Sequence, residues 1–256
     1  MICHDTGDHR RTAILRRETG ILLQIEGNYA ASRKRLQEAL AMFRAENARW
    51  DEMVCLWWLG FVCEAQGDFQ TAMARLDESL IYAIELRSPA AELMVRQSQA
   101  DVLRDQGDFA LARECYEATM PLAREVGDWY KEAVAWRGMS EASRGLGDGE
   151  GAADYIRRAV TLASRSHAPL LCALELLSEA AAVATFMGLV NDAVSLYAFV
   201  EYSRASRKIP NPATVRDRHS RDIAALNFSL GESNFAQLWQ QGKNMPIENA
   251  FALVRI

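Results

Sequence analysis

Three sets of residues recur at intervals of 40 along this chain, and their types suit recognition rather than catalysis. Arg17, Trp57, Gln97 and Arg137 form the first set. Ile21, Phe61, Asp101 and Glu141 form the second, and Gln24, Glu64, Arg104 and Arg144 the third. Aromatic faces offer an apolar anchor, while guanidinium forks match carboxylates in geometry and charge. None of these sets combines a nucleophile with a base at the spacing that acyl transfer or hydrolysis requires.

The other chemistry-bearing residues point to no reaction. Cys3, His4, Asp5, Asp8 and His9 are ligand types, but their spacing fits no structural zinc pattern and they sit in a polar terminal segment. His167 and His219 stand at no motif spacing from a nucleophile or carboxylate, and neither GxSxG nor HExxH occurs. Gly242-Lys243-Asn244 lacks the glycine loop and the hydroxyl of a phosphate-binding GxxxxGK[ST]. The run Arg216–Asp222 around His219 reads as a solvated, mixed-charge helix face. Five cysteines without a CxxC spacing read as reduced thiols, four of them buried on helix faces. We therefore expect no catalytic residue, no metal and no cofactor.

Composition narrows the partners further. The 256 residues are 50% hydrophobic and 25% charged, which suits a folded, soluble chain. A formal net charge of −5 gives no broad electrostatic footprint for nucleic acid. The segment 168–190 is apolar but interrupted by Glu175, Ser178 and Glu179, so a buried helix is expected there rather than a membrane span. The terminus has no signal-peptide core, so a cytoplasmic location is expected.

The elements that must carry the three sets follow from a ruler of glycines. Gly27, Gly67, Gly107 and Gly147 lie 40 apart, and Gly188 follows after 41. Upstream of Gly67, Leu56, Leu59, Gly60 and Cys63 make a helical apolar stripe. Gly67 is placed to end that helix in the left-handed conformation, and Asp68 to cap the next. Five residues after each glycine stands a small side chain (Ser32, Ala72, Ala112, Ala152, Ala193) and nine after it a bulky one (Leu36, Leu76, Tyr116, Ile156, Tyr197). A second series of turns falls near 47, 87, 127 and 167, with Ser88 and Asp128 as caps and Pro89 and Pro169 at first helical positions. Ten helices in five pairs are expected, with turns near 27, 47, 67, 87, 107, 127, 147, 167 and 188. Another helix is expected from Ala213 to Leu230, and two short ones beyond it.

Gly-Asp-Phe-x-x-Ala, with Leu56, Leu59 and Gly60 upstream, resembles the tetratricopeptide repeat (TPR), whose unit is about 34 residues. The longer period is similar to the TPR tract of large bacterial signalling ATPases and LuxR-type regulators. The tail from Phe235 through Trp239 and Gly242 to Ala250 resembles the closing motif of that same group. The resemblance implies an all-α, right-handed superhelical solenoid: residues 1–9 a flexible terminus, 10–208 the repeat array, and 209–256 capping helices. It also implies that the first helix of each pair lines a concave groove. That groove would be lined by Arg17, Gln24, Trp57, Phe61, Glu64, Gln97, Asp101, Arg104, Arg137, Glu141 and Arg144. In the fifth pair the corresponding positions are Ser178, Ala182 and Thr185.

By this resemblance the chain is a non-enzymatic interaction or sensing module. It would take a protein, a peptide with an acidic part and an apolar anchor, or a small effector, and would be the C-terminal part of a regulator. A self-standing adaptor is the alternative. So is a surface on which Trp57 packs against the next repeat, Asp101 pairs with Arg104 and Glu141 pairs with Arg144. The oligomeric state is left open.

Overall fold

The computed structural model describes residues 3–209 and 213–254. They form thirteen α-helices, with no strand among the described residues. The chain divides into two compact units, Met1–Val126 and Gly127–Ile256. The first contains α1 (Cys3–Ile25), α2 (Tyr29–Ala45), α3 (Arg49–Ala65), α4 (Phe69–Glu85), α5 (Pro89–Gln106) and α6 (Phe109–Val126). The second contains α7 (Trp129–Gly145), α8 (Gly149–Arg165), α9 (Leu170–Phe186) and α10 (Val190–Ser206). It ends with α11 (Ala213–Leu230), α12 (Glu232–Lys243) and α13 (Ile247–Leu253). No helix among the described residues is long and apolar enough to cross a membrane.

The 40-residue period resolves into simple parts. Two 17-residue helices, α3 and α4, each followed by a three-residue turn, fill it. At the first kind of turn Gly67 takes φ +75°, a conformation that an L side chain adopts only at a cost. The Asp68 amide then donates to the Cys63 carbonyl (2.9 Å), and the Asp68 carboxylate accepts from the Thr71 amide (3.2 Å). At the second kind of turn the left-handed residue is usually not glycine: Asn47, Arg87 and His167 have φ of 52°, 50° and 51°. Ser88 and Asp128 cap as their types predict. Pro89 opens α5 at its first position, whereas Pro169 stands one residue earlier than expected, as the cap of α9.

Within each pair the two helices meet where the small column faces its partner. Ser32, Ala72, Ala112, Ala152 and Ala193 are all fully buried, as are Leu36, Tyr116, Ile156 and Tyr197. A Cβ added at Gly60 would lie 2.8 Å from Leu76 Cγ, and one at Gly20 as close to Leu36 Cγ. The bulky residue of the second helix thus seats itself against bare backbone of the first. Hydroxyls in this seam are satisfied locally: Ser32 Oγ donates to the Gly20 carbonyl (2.7 Å) and Ser140 Oγ to the Ala152 carbonyl (2.9 Å).

Helix α1 begins at Cys3, and no proline or capping turn interrupts it before Gly27. One sequence expectation changes: of the four cysteines with described side chains, Cys55 and Cys63 are buried, while Cys115 and Cys172 are half-buried. Burial raises all four thiol pKa values, Cys55 to about 12, so none is a ready nucleophile. The Cys3–Asp8 side chains lie outside the described residues.

In the second unit the tail packs onto the last pair. Phe235, Leu238, Trp239, Met245, Ile247 and Phe251 lie against the core that α9 and α10 share with Leu226, Ala250 and Val254. Lys208, at φ +56°, continues the left-handed series begun by Asn47, so α11 starts where the first helix of a further pair would. Then α12 departs from the repeat and lies on α10. Its contact point is Gly242, where an added Cβ would come within 2.5 Å of the Ser195 carbonyl oxygen and 2.8 Å of Ala198 Cβ. The obstacle is backbone, which cannot step aside. Gly242→Ala should therefore lift α12 from α10 and lower stability by about 1–3 kcal/mol, the usual range for overpacking. Urea denaturation measures the loss, and cleavage within 231–256 under limited proteolysis should accelerate.

Candidate binding surface

In the first unit the recurring residues fall on successive first helices, and none of them is fully exposed. Trp57, Phe61 and Glu64 occupy one face of α3, separated by four and three residues. Trp57 meets Phe61 edge-on (5.0 Å between centroids) and Trp58 at a tilt (4.9 Å). Its indole N–H donates to Ser98 Oγ on α5 (2.8 Å), so the ring is oriented by the next pair. All three aromatic rings are half-buried, which leaves an apolar face in reach of solvent.

The charged members of the first unit are largely engaged. Arg17 on α1 pairs with Asp51 on α3 (2.6 Å) and with Glu18 (2.9 Å). Arg104 pairs with Asp101 (2.8 Å) and Asp105 (2.8 Å), and also donates to the Tyr116 hydroxyl (3.1 Å). That hydroxyl in turn donates to Asp101 (2.5 Å). Gln97 is buried. Glu64 stands apart: among the described residues its carboxyl has neither a hydrogen bond nor an ion pair. Burial first, then the negative fields of Asp101 and Asp105, push its carboxyl up to about 8 against the pull of Arg104. A half-buried acid that keeps its proton at neutral pH therefore lies one turn from the aromatic rings.

In the second unit the equivalent positions are tied more tightly. Arg137 pairs with Glu141 along α7 (2.6 Å), and the Glu141 charge also favours the Arg144 guanidinium. Arg144 reaches Glu179 on α9 with two nitrogens, each at 3.2 Å. Burial works against the Arg144 charge, yet Glu179 outweighs it and raises the pKa. Arg218 on α11 approaches the same carboxylate (3.6 Å).

The sequence misplaced His219. It is buried rather than solvated, because α11 turns this part of its mixed-charge run onto α9 and α10. His219 Nε2 lies 2.6 Å from Ser178 Oγ, and Nδ1 lies 2.6 Å from Glu201 Oε1. Beside it the Tyr197 hydroxyl donates to Asp222 (2.5 Å). A serine, a histidine and a carboxylate in line resemble a nucleophilic relay, but Ser178 is 3% and His219 2% exposed. The serine oxygen has no open side for a substrate. The arrangement joins three helices instead. The 41-residue step from Ser178 to His219 equals that from Trp57 to Ser98, and this periodicity was the signal that could have found it.

Residues 51–125 and 89–165 match the model of the tetratricopeptide repeat. This part of the chain is thus built of TPRs, and the helix pairs on either side follow the same plan. No curated protein sequence matches the chain. Solved structures share its fold at low identity. A Rap protein in complex with competence and sporulation factor aligns over 95% of this chain and 77% of its own, with TM-score 0.66 and 14% identity. The putative kinesin light chain TPR-like repeats of Podosopora anserina align over 79% and 99%, with TM-score 0.59 and 16% identity. BtubC (BKLC) from P. vanneervenii aligns over 98% and 89%, with TM-score 0.55 and 16% identity. These likenesses establish an all-α TPR-like fold.

Two outcomes follow from the geometry. The unfolded chain ionises Glu64 near its ordinary value of 4.5, whereas the folded chain holds the proton to about 8. The unfolded state therefore loses its proton first, and stability declines as pH rises across that window. Glu64→Gln should remove that decline: no gain near pH 4, and a gain on the order of 2 kcal/mol near pH 8. Urea midpoints across this range report it. For His219→Ala, a loss of roughly 2–3 kcal/mol is expected from the two buried hydrogen bonds, with faster amide exchange in 213–230.

Proposed function

We propose that the chain is a non-enzymatic interaction module that holds a short peptide segment of a partner on the first-helix face of its N-terminal unit. The observation that carries this reading is the half-exposed Trp57–Trp58–Phe61 cluster with the unpartnered Glu64 beside it. An apolar anchor would lie on the rings, and the Glu64 carboxyl would receive a basic side chain.

The acidic peptide suggested by the arginine columns is less well supported. Arg17 and Arg104 already hold carboxylates in the first unit, as do Arg137 and Arg144 in the second. An acidic ligand would have to break pairs in order to bind. The Rap protein, solved in complex with competence and sporulation factor, supports capture of a separate factor as one mode open to this fold.

The tail and the 40-residue period support placing the module in a bacterial ATPase-linked or LuxR-type regulator. There, ligand capture would bias the packing of adjacent pairs. In-frame coding sequence upstream for an ATPase or DNA-binding domain bears this context out, and an intact gene without one makes the protein a free-standing adaptor.

The binding reading is tested by probing an array of short peptides with the whole chain. Retained peptides should carry an aromatic or aliphatic residue within two positions of Lys or Arg. Because a bound cation draws the proton from Glu64, affinity should rise at least tenfold from about pH 6 to about pH 9. That rise should vanish in Glu64→Gln. Selection of acidic peptides instead, or pH-independent capture that survives Trp57→Ala in a folded chain, overturns it.

A further inference from the structure

The second unit contains a cavity of about 440 Å³ where the tail meets the last helix pair. Its size falls in the range that small-molecule sites occupy, about 300–1,000 Å³. Leu170 at the start of α9, Phe199 on α10, Met245 between α12 and α13, and Ile247 at the start of α13 give it an apolar floor. Tyr202 adds a half-exposed ring at one side.

The charged groups at its mouth are of one sign. Arg207, the residue that ends α10, and Lys243, in the last turn of α12, both line it. Among the described residues no carboxylate does. Lys243 has no ion pair or hydrogen bond among the described residues. Arg207 uses one nitrogen, Nη1, in two long contacts to the Ser203 carbonyl (3.4 Å) and Ser206 Oγ (3.3 Å). The other guanidinium N–H groups have no partner among the described residues. Cations near helix C-termini commonly offset the helix dipole, which explains one such residue at each end. That does not explain why two from different helices converge on one cavity with apolar side chains on its floor. Ser203 and the Asn244 side chain, which donates to the Gln240 carbonyl (3.1 Å), add neutral hydrogen-bonding groups at the rim.

We propose that this cavity binds a small amphipathic acid. Its carboxylate would be held between Arg207 and Lys243, and its planar or aliphatic body would lie on Leu170, Phe199, Met245 and Ile247. Such a ligand touches α9, α10, α12 and α13 at once. Its occupancy therefore fastens the tail to the last pair, independently of the peptide surface in the other unit.

The test uses matched probes on the whole chain: 2-naphthoate, 2-naphthylmethylammonium and inorganic phosphate, titrated calorimetrically. Naphthoate should bind once per chain, and each of the other two at least tenfold more weakly. Arg207→Gln combined with Lys243→Gln should weaken naphthoate at least tenfold while circular dichroism stays unchanged. In protein labelled at its nine methionine methyls, the Met245 resonance, assigned through Met245→Leu, should shift on binding. The melting temperature should rise with naphthoate concentration. The proposal is overturned by equal binding of the amine, by parental affinity in the double variant, by an unmoved Met245 resonance, or by no saturable binding below about 5 mM, near the weak end of measurable affinities.

Discussion

Everything in this structure depends on how closely paired helices approach at the small-residue column. A fully buried small side chain on each second helix lets the backbones come together, and the bulky residue four positions later then enters the partner helix. Where that partner offers glycine, as at Gly20 and Gly60, there is no room for even one added carbon. Close-packed interiors tolerate little change in volume, so this seam sets the distance between helices. The seam also sets which face of each first helix is left over, and the recurring residues stand on that face.

The polar residues on that face then link one pair to the next. Arg17 reaches Asp51, the Trp57 indole reaches Ser98, Arg144 reaches Glu179, and His219 reaches Ser178. Each link steps 34 to 41 residues, one repeat, so side chains that look like binding groups also orient their neighbours. A desolvated guanidinium with a carboxylate beside it is poorly available to a third party, because its release would leave a buried charge. Availability for binding therefore depends on what is left unpaired. In the first unit that is an aromatic face and one protonated carboxyl. In the second it is a pair of cations at a cavity of mixed polar and apolar lining.

The tail shows how a repeat comes to an end. Lys208 adopts the left-handed turn conformation and α11 begins in the register of another pair. Yet α12 has only 12 residues and Gly242 draws it onto α10, so the stacking pattern closes on itself rather than continuing. Solenoids need such an altered final unit, since a regular repeat always leaves a stacking face uncovered.

Local chemistry made much of this legible in the sequence. Left-handed glycines, capping Asp and Ser residues and a 3.6-residue apolar stripe act within a few residues of themselves. They placed the helices and turns, the buried columns and the helix from Ala213 to Leu230. The sequence alone also marked Trp57, Phe61 and Glu64 as one face of one helix, because that spacing is fixed by the helix itself. It could not tell which charges would be spent on neighbours. Whether Glu141 joins Arg137 or Arg144, and whether His219 faces water or Ser178, depends on partners a repeat away and on the rotation of each helix about its axis. The same holds for the acid range of Glu64 and for the cavity under Arg207 and Lys243. Those properties arise from desolvation and from the convergence of separate helices, and only the tertiary structure decided them.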